Sequence, residues 1–230
     1  MQPNADSSPA SEEASGTENE AAGFVLAGGR SSRMGQEKAL VRLTGDPLVV
    51  HVLQVLREAG LAASIAGGSS SLRAFAPVIE DSEPGLGPLG GICAALASTS
   101  ARWAVFLPID LPLLPASLVI YFLDHAQITG AAITVPSVNG YAQSFPVVVD
   151  RAALPRLRAE LEAGRRGCFS AFQAAAESLG QSVTVLAVEL AVQSGRIAHP
   201  ENLPAARWFL NVNTPADLRR ATAYRTPLIA

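Results

Sequence analysis

The residues best suited to chemistry lie in "FVLAGGRSSRMGQEKAL", Phe24 to Leu40. An apolar run, Phe24-Val25-Leu26, breaks into Gly28 and Gly29, and Arg30, Arg33 and Lys38 follow among small residues. Glycines let backbone N–H groups approach an anion, and Arg33 and Lys38 bring positive charge to it, so phosphate is the ligand this loop suits. G-x-x-x-x-G-K-S/T cannot be aligned on the segment, which excludes the ordinary P-loop. A strand–helix turn with solvated basic residues has the same composition, and both readings stand at this point.

A second constellation is "LPIDLP", in which Asp110 ends the buried apolar run "RWAVFLPID" between Pro108 and Pro112. A carboxylate there is costly unless it is paired or binds something. A Mg2+ ligand fits, because that hard cation takes one or two carboxylates and completes its shell with substrate phosphates. Asp81, closing "APVIED", would approach the same crevice. The plainer reading of Asp110 is a turn or helix-cap aspartate. A third stretch, "GLGPLG" from Gly85 to Gly90, matches G-x-G-x-x-G. It does not open directly from the first strand, and Pro88 removes an N–H where phosphate would want one, so dinucleotide binding is disfavoured. It reads instead as a second substrate-lining loop at a helix start. Arg165 and Arg166 in "EAGRRGCF" read first as a cationic helix C-terminus, and second as a contact for an anionic substrate.

The elements that must position these groups alternate. "GFVLAG" predicts a strand and "DPLVVHVLQVLREAG" a helix with Asp46 as N-cap and Pro47 in its first turn. "AASIAGG", "APVIED", "RWAVFLPID", "AAITVPS", "FPVVVD", "SVTVLAVEL" and "RWFLNVNT" predict further strands. "LGGICAALAST", "PASLVIYFLDHA", "AALPRLRAELEAG" and "CFSAFQAAAESLG" predict helices, and the last strand leads into "PADLRRATAY". Such alternation implies an α/β fold, a mostly parallel sheet with helices on both faces, and ligands in such sheets lie beyond the carboxyl ends of the strands.

The chain has 230 residues, of which 49% are hydrophobic, enough for one sizeable core. A net charge of −3 gives no basic surface for nucleic acid. No apolar stretch reaches the roughly 18 residues of a membrane span. Residues 1–22 carry five acidic side chains, no Lys or Arg, and almost nothing to bury. They predict a disordered tail without the features of a signal peptide, followed by a single domain over 23–230 in the cytoplasm. Cys93 and Cys168 match no metal or redox spacing and read as small buried hydrophobes.

"LAGGRSSRMGQEK", "VIEDSEPGLGPLGGI", "FLPIDLP" and "FLNVNTPADL", in this order and spacing, resemble the molybdenum cofactor guanylyltransferase (MobA-type) family of the nucleotidyltransferase superfamily, over roughly Gly23 to Ala223. The resemblance implies a three-layer, Rossmann-like fold of the nucleotide-diphospho-sugar transferase type. It implies transfer of GMP from GTP to Mo-molybdopterin with release of pyrophosphate, Mg2+ as cofactor, and transient contact with molybdoenzymes or other cofactor-synthesis proteins. By the same resemblance Leu26, Ala27 and Gly28 hold the nucleotide, Lys38 contacts its phosphates, Arg33 is the loop arginine, and Asp81 binds nucleotide. Asp110 touches both GTP and Mg2+, while Asn211 and Asn213 lie toward the pterin. One departure stands out: the family commonly has an Asn after the first helix for base recognition, and this chain reads "SIAGGSSS" there, with Ala66 and Gly67. That leaves cytidylyl or another nucleotidyl transfer as an alternative; a non-catalytic cofactor-binding protein on the same fold is another, against which Arg33, Lys38 and Asp110 together argue.

The nucleophile in such a transfer is already an anion, so no general base is needed. His51, His125 and His199 are scattered in the sequence, and none sits in a nucleophile–base arrangement.

Overall fold

The computed structural model describes residues 20–28, 37–80 and 85–225. The chain opens with β1 (Ala21–Leu26), β2 (Arg42–Leu43), β3 (Asp46–Pro47), α1 (Leu48–Glu58), β4 (Ala62–Ala66) and β5 (Val78–Ile79). It continues through α2 (Gly87–Ser98), β6 (Trp103–Pro108), α3 (Ala116–Thr129), β7 (Ile133–Val138), β8 (Tyr141–Ala142) and β9 (Val147–Asp150). It closes with α4 (Leu154–Glu162), α5 (Cys168–Ser178), β10 (Thr184–Ala187), α6 (Val188–Gln193), α7 (Ala205–Trp208) and α8 (Pro215–Arg225).

The sheet runs β10-β7-β9-β6-β1-β4-β5, with β8 added beside β7. β1 is parallel to both β4 and β6, whereas β9 runs antiparallel to β6 and β7. The expected mostly parallel α/β sheet is therefore present, with β9 reversed in its middle. The central strands are apolar throughout because both faces are covered. Along β6, Trp103, Val105 and Leu107 enter one core, and Ala104 and Phe106 enter the other. Val25 of β1 joins the first core, while Phe24 and Leu26 join the second, where Phe24 stacks on Phe106 at 5.3 Å. α1 and α3 cover the first face, and α2, α4 and α5 the second. Gly23 lets α1 lie close on β1: a Cβ there would meet Leu56 Cδ2 at 2.9 Å.

Several boundaries differ from the sequence expectation. β1 starts at Ala21, which is buried, so Ala21 and Ala22 are strand rather than tail; residues 1–19 lie outside the described residues. Asp46 does not cap α1. It pairs with Leu43 across a turn at Thr44 and Gly45, both at positive φ, and Pro47 takes the capping position. The strand expected over "SVTVLAVEL" ends at Ala187, where the chain turns into α6 and buries Val188. "RWFLNVNT" is not a strand. A helical turn encloses Trp208 instead, its indole N–H donating to Leu203 O at 2.7 Å, and beyond it the buried Val212 donates from N to the loop carbonyl of Asp110 at 2.9 Å. Among the described residues, no helix is long and apolar enough to cross a membrane.

Candidate active site

Register decides where the chemistry gathers. Leu26 is level with Ala66 on one side and Pro108 on the other, and Ala66 is level with Ile79. β1, β4, β5 and β6 thus end together. They deliver Ala27 and Gly28, Gly67 and Gly68, Glu80, and Ile109 and Asp110 to one edge. Backbone bonds fix that edge: Ile109 N donates to Leu26 O at 3.1 Å, and Ala27 N to Ala66 O at 3.0 Å.

Lys38 begins a 3-10 turn over Lys38–Leu40 whose Ala39 is buried. From there its ammonium donates to Asp110 Oδ2 at 3.2 Å and to Asn213 Oδ1 at 2.5 Å. The side chains of Lys38 and Asp110 are only 17% and 27% exposed, so the ion pair is largely shielded. A local motif holds Asn213 in place. Thr214 and Asp217 form a capping box at the start of α8, and Asp217 Oδ2 also accepts from Asn213 N at 3.3 Å. The Thr214 hydroxyl is the main reason the Asp217 carboxyl lies below its ordinary range. Asn211 is exposed two residues upstream, and the contact with Lys38 belongs to Asn213.

Glu37, next to Lys38, points elsewhere. Its Oε1 accepts from Ser69 N at 3.1 Å, and its Oε2 from the hydroxyls of Ser69 at 2.7 Å and Ser71 at 3.0 Å. The loop it grips is pressed against β1. Gly68 has φ +87°, and a Cβ there would meet Leu72 Cδ1 at 2.6 Å and Ala27 Cβ at 3.3 Å. Sequence reasoning singled out "GGSSS" only for its missing amide. The acid preceding Lys38 in a cationic loop was the signal that could have linked the two.

The glycine stretch opens α2 at Gly87, and Arg166 donates to Gly85 O at 3.1 Å from the turn after α4. Beside this contact lies a cavity of about 500 Å³ lined by Leu86, Gly90, Cys93, Arg158, Glu162 and Arg166, among others. Arg165 is instead tied to the buried Glu160, which also pairs with Arg156 at 2.8 Å. That bonding, from Arg165 first, holds the Glu160 carboxyl below its ordinary range. Burial pushes the thiols of Cys93 and Cys168 up to about 11, so neither is a ready nucleophile.

Of the residues singled out in the sequence, Leu26, Ala27, Gly28, Lys38, Asp110 and Asn213 meet at this one edge. Arg33 and Asp81 lie outside the described residues. No group of three His, Cys, Asp or Glu gathers as a metal cage among the described residues. One partly exposed carboxylate, Asp110, is nonetheless the donor set Mg2+ accepts when phosphate oxygens supply the rest.

Residues 23–183 match the family model of the MobA-like NTP transferase domain. A molybdenum cofactor guanylyltransferase from Vibrio atlanticus is 32% identical over 198 residues, 84% of this chain and 91% of the relative. One from Vibrio cholerae is 38% identical over 146 residues, 62% of this chain and 71% of the relative. Among solved structures, molybdopterin-guanine dinucleotide biosynthesis protein A from Archaeoglobus fulgidus superposes with a TM-score of 0.69 at 24% identity, covering 87% of this chain and 96% of that one. The 2-C-methyl-D-erythritol 4-phosphate cytidylyltransferase of Thermus thermophilus gives 0.64 at 18%, covering 90% and 100%. These two share the fold.

Proposed function

This chain belongs to the MobA-like NTP transferase family, and from that premise we propose that it is a molybdenum cofactor guanylyltransferase, joining GMP from GTP to Mo-molybdopterin. The observation that carries the reading is the contact of one lysine, Lys38, with both Asp110 and Asn213 where β1 and β6 end together. In the proposed reaction a terminal phosphate oxygen of molybdopterin attacks the α-phosphorus of GTP. The bond from that phosphorus to the bridging oxygen breaks, and pyrophosphate leaves with the electron pair.

The obstacle is bringing anions together, and catalysis of such transfers is mostly positioning and electrostatic stabilisation. Lys38 would leave Asp110 for the nucleotide phosphates and neutralise charge developing on the α-phosphate and the leaving group. Arg33 would add a second cation from the same loop. Leu26, Ala27 and Gly28 would bring backbone close to the nucleotide. Asp110 would hold Mg2+, which when bound would supply positive charge against the phosphate oxygens, and Asp81 would bind the nucleotide. Asn213, and more weakly Asn211, would face the second substrate. The cytoplasm, where GTP is available, would be the site of action.

A second reading, cytidylyl transfer, is favoured by one observation: no amide side chain stands at Ala66 or Gly67. Pyrophosphate release measured with each of the four nucleoside triphosphates, molybdopterin and Mg2+ separates the readings. GTP alone should support turnover. Turnover with CTP alone would replace guanylyl by cytidylyl transfer, and turnover with none would make this a binding protein.

A further inference from the structure

We propose that Glu37 is a positioning residue for the nucleobase: it clamps the Gly67–Ser71 loop against β1, so that base selection in this chain is made by that loop's backbone. The proposal rests on the guanylyl-transfer reading and deepens it.

Geometry supplies the first argument. Asp110 and Lys38 mark the phosphate end of the edge at β6, and the loop leaving β4 lies two strands away across β1. Two strand spacings are about 10 Å, so a nucleotide with its phosphates at Lys38 turns its base toward Gly67–Ser71. The loop is built for close approach: Gly67 and Gly68 both have positive φ, and a Cβ at Gly68 would meet Leu72 Cδ1 at 2.6 Å and Ala27 Cβ at 3.3 Å. Gly67 N is already engaged by Ile79 O at 2.9 Å, which anchors the loop on its far side.

Charge supplies the second. A carboxylate inside a loop suited to phosphate would repel the ligand. Three donors, Ser69 N, Ser69 Oγ and Ser71 Oγ, hold the Glu37 carboxylate on the base side. Hydrogen bonds to an ionised acceptor are the strong ones, and here they join segments 32 to 34 residues apart. The adjacent residues Glu37 and Lys38 thus go opposite ways, one fixing the base loop and the other serving the phosphates. A loop so held can present fixed N–H and C=O groups to a base where an amide side chain is missing.

The test is a pair of affinities. GTP and inorganic triphosphate are titrated with Mg2+ into wild type, Glu37→Ala, Glu37→Gln and the double variant Ser69→Ala/Ser71→Ala, and melting curves verify the fold. Glu37→Ala should lose about ten-fold or more in GTP affinity while triphosphate affinity stays within about two-fold. Glu37→Gln, which keeps an acceptor for Ser69 N, should retain most GTP affinity, and the double serine variant should fall between. Equal loss of both ligands in folded Glu37→Ala, or loss of neither, overturns the clamp while leaving nucleotidyl transfer standing. If wild type binds GTP no better than triphosphate, no base is read there and the clamp is overturned. If wild type binds neither, the functional reading falls as well.

Discussion

The two ends of the β6 region carry ion pairs of nearly equal length and unlike character. Lys38–Asp110 spans 3.2 Å beyond its carboxyl end, and Arg102–Asp150 spans 3.0 Å at its start. Asp150 is buried and fully employed: it accepts from Arg102 Nε and from Ala152 N, where it caps the 3-10 turn before α4. Arg102 also lies over the Trp103 ring at 4.7 Å. Those contacts join neighbours in the fold and finish a turn. Asp110 instead meets a lysine 72 residues away, which in turn holds an asparagine 175 residues away. Distance alone does not tell the two pairs apart. What differs is that the Lys38 ammonium is shared by a carboxylate beyond β6 and an amide from the loop before α8.

The comparison breaks most sharply at Asp110. Asp110→Ala should reduce Mg2+-dependent transfer to background in a folded protein, whereas Asp150→Ala should leave transfer within about two-fold. Lys38→Ala should slow pyrophosphate release by about 10², a loss of roughly 3 kcal/mol. Lys38→Arg should recover only part, because a planar fork replaces a point charge that reaches two acceptors. At the other end, Asp150→Ala should cost about 1–2 kcal/mol of stability through the lost cap, read as a melting temperature lower by about 3–6 °C.

The smallest effect is on pH. Burial is the main cause that lowers the pKa of both His51 and His199. His51 donates from Nε2 to Leu43 O at 2.8 Å and accepts at Nδ1 from Arg225 at 2.8 Å, an arrangement that suits the neutral ring. The unfolded chain therefore takes up protons near pH 6.5 that the folded chain resists until lower pH. Stability is full above about pH 6.5 and declines as pH falls through the depressed folded values. Melting temperatures from pH 7.5 to 5.5 should drop, and less steeply in His51→Gln.

The sheet and the strand ends that bring Gly28 and Asp110 to one edge were legible because each rests on local signals. Continuous apolar runs marked β1 and β6, and the residues just past them, Gly28 and Asp110, fell at the edge as the strand-end rule requires. The register that levels Leu26 with Ala66 and Pro108 is a tertiary fact, and so was the convergence of Lys38 with Asn213. "RWFLNVNT" misled because its apolar residues read equally as a strand or as a buried turn, and only Trp208 packing decides between them. Asp46 had the right identity for a cap, but the turn at Thr44 and Gly45 drew it into a hairpin. Glu37 was invisible as a clamp because its three donors come from a loop whose fold depends on two glycines at positive φ.

The most direct test sets the two isosteric variants side by side: pyrophosphate release from GTP with molybdopterin and Mg2+, for Asp110→Asn and Asp150→Asn. The account predicts background release from Asp110→Asn and near wild-type release from Asp150→Asn, with both proteins folded. Wild-type release from folded Asp110→Asn would contradict it and move the chemistry away from the edge where β1 and β6 end.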